Sequence, residues 1–595
     1  MKNNRLLNYS FLLLLCFVFL LPIKFGQPAS VPQNINFPLN IETLLFFSWP
    51  TSIFILLSAI LLLLGLIISL AYKSEADTCQ SLIPPILFVF LFVSSLCGLI
   101  YAQNYDFAYQ QIFYILGLTS FVIGIYLFSF YMTEEKIDLL IWTIIVSSFL
   151  ISVYGIYQYF FSIESTKETV IQLLKEKNMT ISADMMNRLS QDLIYSTFSL
   201  SNSFAAHLIL IFPLSIIFIL EKIKKIPHKY VIFVIFSAVI LYGIAISGSR
   251  GAIISLIAAV IIVAVITTKN KILIILTTLI CLSGLVPYLF FNNAKGFGSF
   301  AIRFDYFRVA WDLFAKHPFI GSGWGNFSFF YPSMKTYASV ESPFMPHNVL
   351  LSFASQTGIL SVVILILIFI FPIITVLKTI SINRNLKEKS HFEIALLISW
   401  IGWSIHSLMD INFQISGTAA VAVIIIFIMT KKTSVKNNGT IIKKKVTVFI
   451  ISLILFLIAA SYLIYRIPGE IQMQKLDNIT NPIHLIFSEK QDNRDKNSEI
   501  IYYTDRASFF MMYSPLPYEI TGNYFKKEKD WNLTIKYFSK AIKLSPRNAS
   551  YYYNMALAEY NLGDKYSALK YMKTANELHP YKYSNTYKTL KNEIN

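Results

Sequence analysis

Residues 230–267 read YVIFVIFSAVILYGIAISGSRGAIISLIAAVIIVAVIT, with a single charged side chain, Arg250, in the middle. Each half is about 27 Å long at 1.5 Å per residue, close to the thickness of a hydrocarbon core. Ser247-Gly248-Ser249 supplies the turn between them, so the stretch reads as a membrane hairpin with Arg250 at its tip. An arginine at a membrane boundary is costly without an anionic partner, and its presence is a hint of function.

The same pattern recurs along the 595 residues. The chain is 55% hydrophobic and 14% charged, against about 25% charged in a typical soluble domain. Spans are expected near 6–23, 51–71, 83–103, 109–131, 138–162, 198–219, 230–248, 251–267, 271–291, 357–377, 392–409, 414–430 and 446–465. The fold class is therefore an all-α polytopic membrane protein of about 12–13 transmembrane helices. Basic residues crowd into alternate loops, among them Lys222, Lys224 and Lys225, Lys378 and Arg384, and Lys443 to Lys445. The positive-inside rule assigns these loops to the cytoplasm. The N-terminus then lies inside, the first span being retained rather than cleaved, and the C-terminal part lies outside, periplasmic or extracellular. Orientation explains the +17 net charge, so a nucleic-acid partner is not expected. All four cysteines, Cys16, Cys79, Cys97 and Cys281, precede residue 466, so the outward C-terminal part has no disulfide framework.

Three hydrophilic regions face outward on this alternation. The first, 163–196, alternates Val170, Ile171, Leu173 and Leu174 with charged residues and suits short amphipathic helices at the membrane surface. The second, 292–347, carries Arg303 and Arg308 and ends in Pro346-His347-Asn348. Just after it, Ser352-Phe353-Ala354-Ser355-Gln356-Thr357 is too polar to face lipid, and 347–356 reads as a partly buried helical segment lining a cavity. The third is 466–595, divided into a helical connector at 466–514 and a repeat domain at 515–595. Tyr518, Gly522, Ala541, Leu544 and Pro546 recur 34 residues later as Tyr552, Ala556, Ala575, Leu578 and Pro580. This period resembles the tetratricopeptide repeat, in copies at 515–548 and 549–582, and implies an α-solenoid with a possible protein partner on its concave face. The membrane part, 1–465, is expected to hold the chemistry.

A series of short motifs runs through that part in a fixed order. Thr197-Phe198-Ser199-Leu200-Ser201-Asn202 is followed by Ser249-Arg250-Gly251, Arg303 and His317-Pro318-Phe319-Ile320-Gly321-Ser322-Gly323-Trp324-Gly325-Asn326-Phe327. Then come His347-Asn348, Gly358, and His406-Ser407-Leu408-Met409-Asp410. The series, over about 190–430, resembles the O-antigen ligase and O-antigen polymerase superfamily of bacterial lipid-linked glycan transferases. The resemblance implies a multi-pass inner-membrane enzyme of the GT-C type. It implies an inverting, metal-independent transfer from a polyprenyl-diphosphate-linked glycan, without a cofactor. The acceptor would be a glycan, lipid-A-core or protein hydroxyl, as in ligation, polymerisation or protein glycosylation for lipopolysaccharide and envelope polysaccharide. The family's diphosphate-binding arginines map onto Arg250 and Arg303, with Arg308 as a further candidate, and its essential histidine onto His347. Asn202, Asn348 and Asp410 are supporting candidates. Two departures stand out: Ser201 occupies a position where proline is common, and the nearest arginine before Thr197-Phe198 is Arg188.

The residue chemistry points the same way. A departing diphosphate needs permanently charged, forked donors, which guanidinium groups provide, and a histidine titrates where a general base is useful. No Asp-x-Asp or clustered His/Asp signature offers a metal on the outward side. The Gly321/Gly323/Gly325 run has no preceding strand and reads as a turn rather than a phosphate loop. His317 and His406 read as structural. A transporter or flippase of lipid-linked glycan would also need cations near a diphosphate, but would be expected to show two related halves. A scaffold built around the repeat domain gives no reason for outward arginines and histidine.

Overall fold

A computed structural model describes residues 4–29, 36–72, 78–176, 193–223, 229–268, 270–272, 275–276, 278–279, 297–336, 342–386, 389–433, 441–480 and 496–594. Among them, nine helices are long and apolar enough to cross a membrane, from Arg5–Lys24 to Thr447–Thr480. Shorter apolar helices, Ile83–Leu99 and Ser416–Met429, join them. The span expected at 271–291 lies mainly outside the described residues.

Two spans end earlier than their hydropathy suggests, each because its backbone is used elsewhere. The helix Ile83–Ser95 gives way to a 3-10 turn, Leu96–Leu99. There the Trp324 indole donates to Ser95 O at 3.0 Å, and the Trp324 amide donates to Gly98 O at 2.8 Å. The helix His391–His406 stops three residues short of 409. The Ser407 carbonyl accepts from Val349 N and the Leu408 carbonyl from Asn348 Nδ2.

Loops that the charge pattern puts on one side meet at one end of the bundle. At the basic end, strands Thr78–Gln80 and Lys431–Thr433 pair antiparallel, and Lys222 and Lys431 form ion pairs with Asp138 and Glu134. At the other end Gly26 bridges Phe198, Ala29 N donates to Gln414 O, and Thr197 Oγ1 donates to Pro22 O. If the alternation holds, an alkaline-phosphatase-type reporter placed after residue 466 is active, and the same reporter at 384 or 436 is silent. Activity at 384 would invert the topology.

The polar run after His347 forms the helix Val349–Thr357. Ser352, Ser355, Gln356 and Thr357 are buried in protein rather than exposed to lipid. The glycine-rich 321–325 segment wraps its C-terminal end: Ser322 N, Gly323 N and Gly325 N donate to Ser355 O, Gln356 O and Gln356 Oε1. Gly321 and Gly358 both have positive φ, and a Cβ on either would lie 2.2 Å from backbone of the opposing strand of chain. Only glycine permits that approach. The run is a structural turn, as its sequence context suggests.

The helix Ile441–Thr480 continues well past the bundle. Where it emerges, Arg466 binds Asp106 at 2.6 Å and Glu470 at 2.7 Å, Ser52 donates to Glu470, and Ser514 donates to Asp106 at 2.8 Å. A buried ion cluster is tolerated only when its hydrogen bonds are well satisfied, and this one joins four segments. Beyond it come helix pairs Leu516–Lys527 with Trp531–Leu544, and Ala549–Asn561 with Lys565–Leu578, then Pro580–Ile594. Small residues set their spacing: a Cβ at Gly522 would lie 2.9 Å from the Phe538 ring, and Ala541, Ala556 and Ala575 are buried.

Candidate functional site

The helix Phe297–Lys316 separates its two arginines by five residues, about 140° around the axis at 3.6 residues per turn. Arg308 is partly exposed. Its guanidinium holds Asp305 at 2.9 Å, Asp312 at 3.1 Å and Met334 O at 2.7 Å. Asp305 also accepts from Tyr331 Oη at 3.1 Å and from Thr336 Oγ1 at 2.8 Å. Burial alone would raise the Asp305 carboxyl, but these donors outweigh it and hold the group below its ordinary value. With Asp305 committed to Arg308, Arg303 is left half-buried with no hydrogen bond or ion pair to any described residue.

Arg303 instead acts electrostatically on His406, the last residue of the helix His391–His406, and on Asp410, four residues farther on. Asp410 is buried, and its Oδ1 accepts from His347 Nδ1 at 3.0 Å and from Ile411 N at 2.8 Å. Burial would raise this carboxyl; the hydrogen bond from His347, with the positive charge of Arg303, holds it well below the carboxylate range. Asp410 is therefore ionised near neutrality and only accepts. The proton of that hydrogen bond must lie on His347 Nδ1, leaving Nε2 as the basic nitrogen. Asp410 Oδ2 is buried with no hydrogen-bond partner among the described residues.

His347 sits at φ 51°, a conformation costly for a non-glycine residue and held only by strong surroundings. On its C-terminal side Asn348 caps the helix Val349–Thr357, accepting from Leu351 N at 2.9 Å and donating to Leu408 O at 2.9 Å. These bonds fix His347 opposite Asp410. On its face lies Tyr306, ring centroid 5.9 Å away and nearly parallel.

Arg250 begins the helix Arg250–Thr267, behind the N-cap Ser249. That helix end meets the same cluster through His406. Ser249 Oγ lies 3.5 Å from His406 Nε2, and a Cβ on Gly251 would come within 3.4 Å of that nitrogen. The His406 Nδ1 is 2.7 Å from Asn412 Nδ2. An arginine at a helix N-terminus adds its charge to the positive end of the dipole, a pairing suited to an anion.

Residues 235–366 match the O-antigen ligase family model. The matched region contains Arg250, Arg303, His347 and Asn348 and supports an O-antigen ligase-like membrane glycosyltransferase. Comparison with curated proteins gave no match.

Of the residues singled out from sequence, Arg303, His347, Asn348 and Asp410 converge, and Arg250 borders them through His406. Arg308 is not part of this cluster, its donors being directed to Asp305, Asp312 and Met334. Asn202 opens the helix Ser201–Lys222 and makes no hydrogen bond to the cluster among the described residues. Sequence reading missed Tyr306 as the stacking partner of His347, and Asp305 with Thr336 as the clasp that frees Arg303. It also missed His406 as the residue between Arg250 and Asp410. Aromatic enrichment in Phe304-Asp305-Tyr306-Phe307 was the only signal of the first.

Proposed function

We propose that the protein moves a glycan from a polyprenyl-diphosphate carrier to an acceptor hydroxyl, by an inverting, metal-independent displacement on the outer face of the bacterial cytoplasmic membrane. The observation that carries this reading is Arg303, a half-buried guanidinium with no hydrogen bond or ion pair among the described residues, close enough to the His347–Asp410 pair to act on its charge. A guanidinium fork not engaged in a hydrogen bond among the described residues, next to an oriented base, suits an anionic leaving group better than a scaffold or a lipid-facing surface.

In the proposed step the acceptor hydroxyl gives its proton to His347 Nε2 as its oxygen attacks the anomeric carbon. The bond from that carbon to the diphosphate oxygen breaks on the opposite face, and its electron pair stays on the diphosphate. Arg303 and Arg250 receive the leaving charge. Asp410 stabilises the imidazolium that forms, as an orienting carboxylate does in other base-carboxylate pairs. The C-terminal helices, a tetratricopeptide-like array, lie on the same side and serve the acceptor.

Purified protein in lipid, given a polyprenyl-diphosphate glycan and an acceptor extract, should release polyprenyl diphosphate and form a linkage of inverted anomeric configuration. Asp410→Asn should lower turnover by about 10²–10⁴-fold, because an amide facing His347 Nδ1 favours the tautomer that protonates Nε2. Retained configuration in the product, or an Asp410→Asn variant of normal rate, contradicts the reading.

A further inference from the structure

Residues 330–336, which end the helix Asn326–Met334 and lead from it, are gripped from two sides. From the membrane domain, Asp305 accepts from Thr336 N and Oγ1, and Arg308 donates to Met334 O. From the C-terminal helices, the Arg547 guanidinium lies 4.2 Å from the centroid of the Phe330 ring, and Tyr581 Oη donates to Thr336 O at 3.3 Å. Between these contacts Lys335 is buried, with its ammonium 5.3 Å from the Tyr581 ring and 5.9 Å from the Tyr331 ring. Farther along, Ser342 Oγ lies 3.4 Å from His579 Nε2.

We propose that Arg547 and Tyr581 are positioning residues for His347, so that the C-terminal domain completes the transferase site rather than merely following it. The proposal rests on the function assigned above. The contacts reach the base through a short packed chain. Thr336 and Tyr331 bind Asp305, and the next residue, Tyr306, packs edge-on against Tyr331 at 5.1 Å and stacks on His347. His347 holds a left-handed backbone conformation that its own sequence does not favour. Its surroundings must supply that geometry, and one wall of them is held by the C-terminal domain. Arg547 suits this task because a planar guanidinium stacks on an aromatic face.

Neither residue touches the arginine/histidine cluster, so loss of either should loosen the base without emptying the donor site. In the full chain, Arg547→Ala, Tyr581→Ala and their double variant should raise amide hydrogen exchange in 326–347. They should lower kcat by about 3- to 30-fold, the range for mutations along a coupled network, while donor affinity stays within about twofold. Arg547→Lys, which keeps a cation but loses the stacked plane, should recover only part of the rate, and Tyr581→Phe, which keeps the ring beside Lys335, should fall between Tyr581→Ala and the wild type. A merely structural contact would instead change thermal stability and leave kcat per folded molecule alone. Unchanged exchange in 326–347, or wild-type kcat in the double variant, overturns the proposal. If the wild-type protein transfers no glycan, the function assigned above fails; exchange alone then decides the coupling, by whether the increase reaches 345–349.

Discussion

His347→Ala is expected to bind lipid-linked donor almost as tightly as the wild type and to turn it over about 10²–10⁴-fold more slowly, the usual range for a lost general base. The imidazole contributes nothing permanent to an anion, and its Nδ1 is already committed to Asp410 at 3.0 Å. What it offers is the Nε2 lone pair, needed only when the acceptor oxygen develops its bond. Removing it leaves Arg303 in place and leaves Asp410 buried without its main hydrogen-bond donor, so a modest loss of stability should accompany the rate effect. Titration with donor, paired with a single-turnover transfer assay, separates the two. Normal transfer by His347→Ala would remove the base from the mechanism and the acceptor from its neighbourhood.

The three arginines should divide sharply. Arg303→Ala should weaken donor binding about 10- to 100-fold and lower turnover by a further 10²–10³-fold, as for other preorganised donors to a developing charge. It should cost little stability, because Arg303 has no hydrogen bond to lose among the described residues. Arg250→Ala should share the donor and turnover losses, and lysine at either position should recover little, since a point charge lacks the fork. Arg308→Ala should do the reverse. It strips the main charge partner from the buried Asp305 carboxylate, which keeps its Tyr331 and Thr336 donors, and with Arg308 partly exposed should cost about 1–2 kcal/mol of stability. Donor affinity per folded molecule should change little. A donor titration and a thermal melt on all three variants test the division. Equal donor losses for Arg303→Ala and Arg308→Ala would return Arg308 to the site.

Much of this was legible in the sequence for physical reasons. Hydrophobic length marks spans, and polar residues such as Gln356 inside an apolar region mark a helix buried in protein. Pro346-His347-Asn348 reads as a helix start, and Asn348 is its cap. That Arg308, rather than Arg303, pairs with Asp305 was not legible. It depends on Thr336 and Met334 folding back onto Asp305, contacts some thirty residues apart that no periodicity encodes. Asp410 stood out as a carboxylate near the end of a span, but its partner could be an arginine or His347 until the loop at 407–411 was seen against Val349. The grip of Arg547 and Tyr581 on 330–336 was invisible for the same reason.

The most direct test of the central claim is a structure of the protein in lipid with an unreactive polyprenyl-diphosphate glycan. The account predicts diphosphate oxygens within hydrogen-bonding distance of Arg303, with the anomeric carbon on the side of His347 Nε2. Diphosphate bound at Arg308, or in the cavity beside Arg466 and Gln110, and out of reach of Arg303, would contradict it.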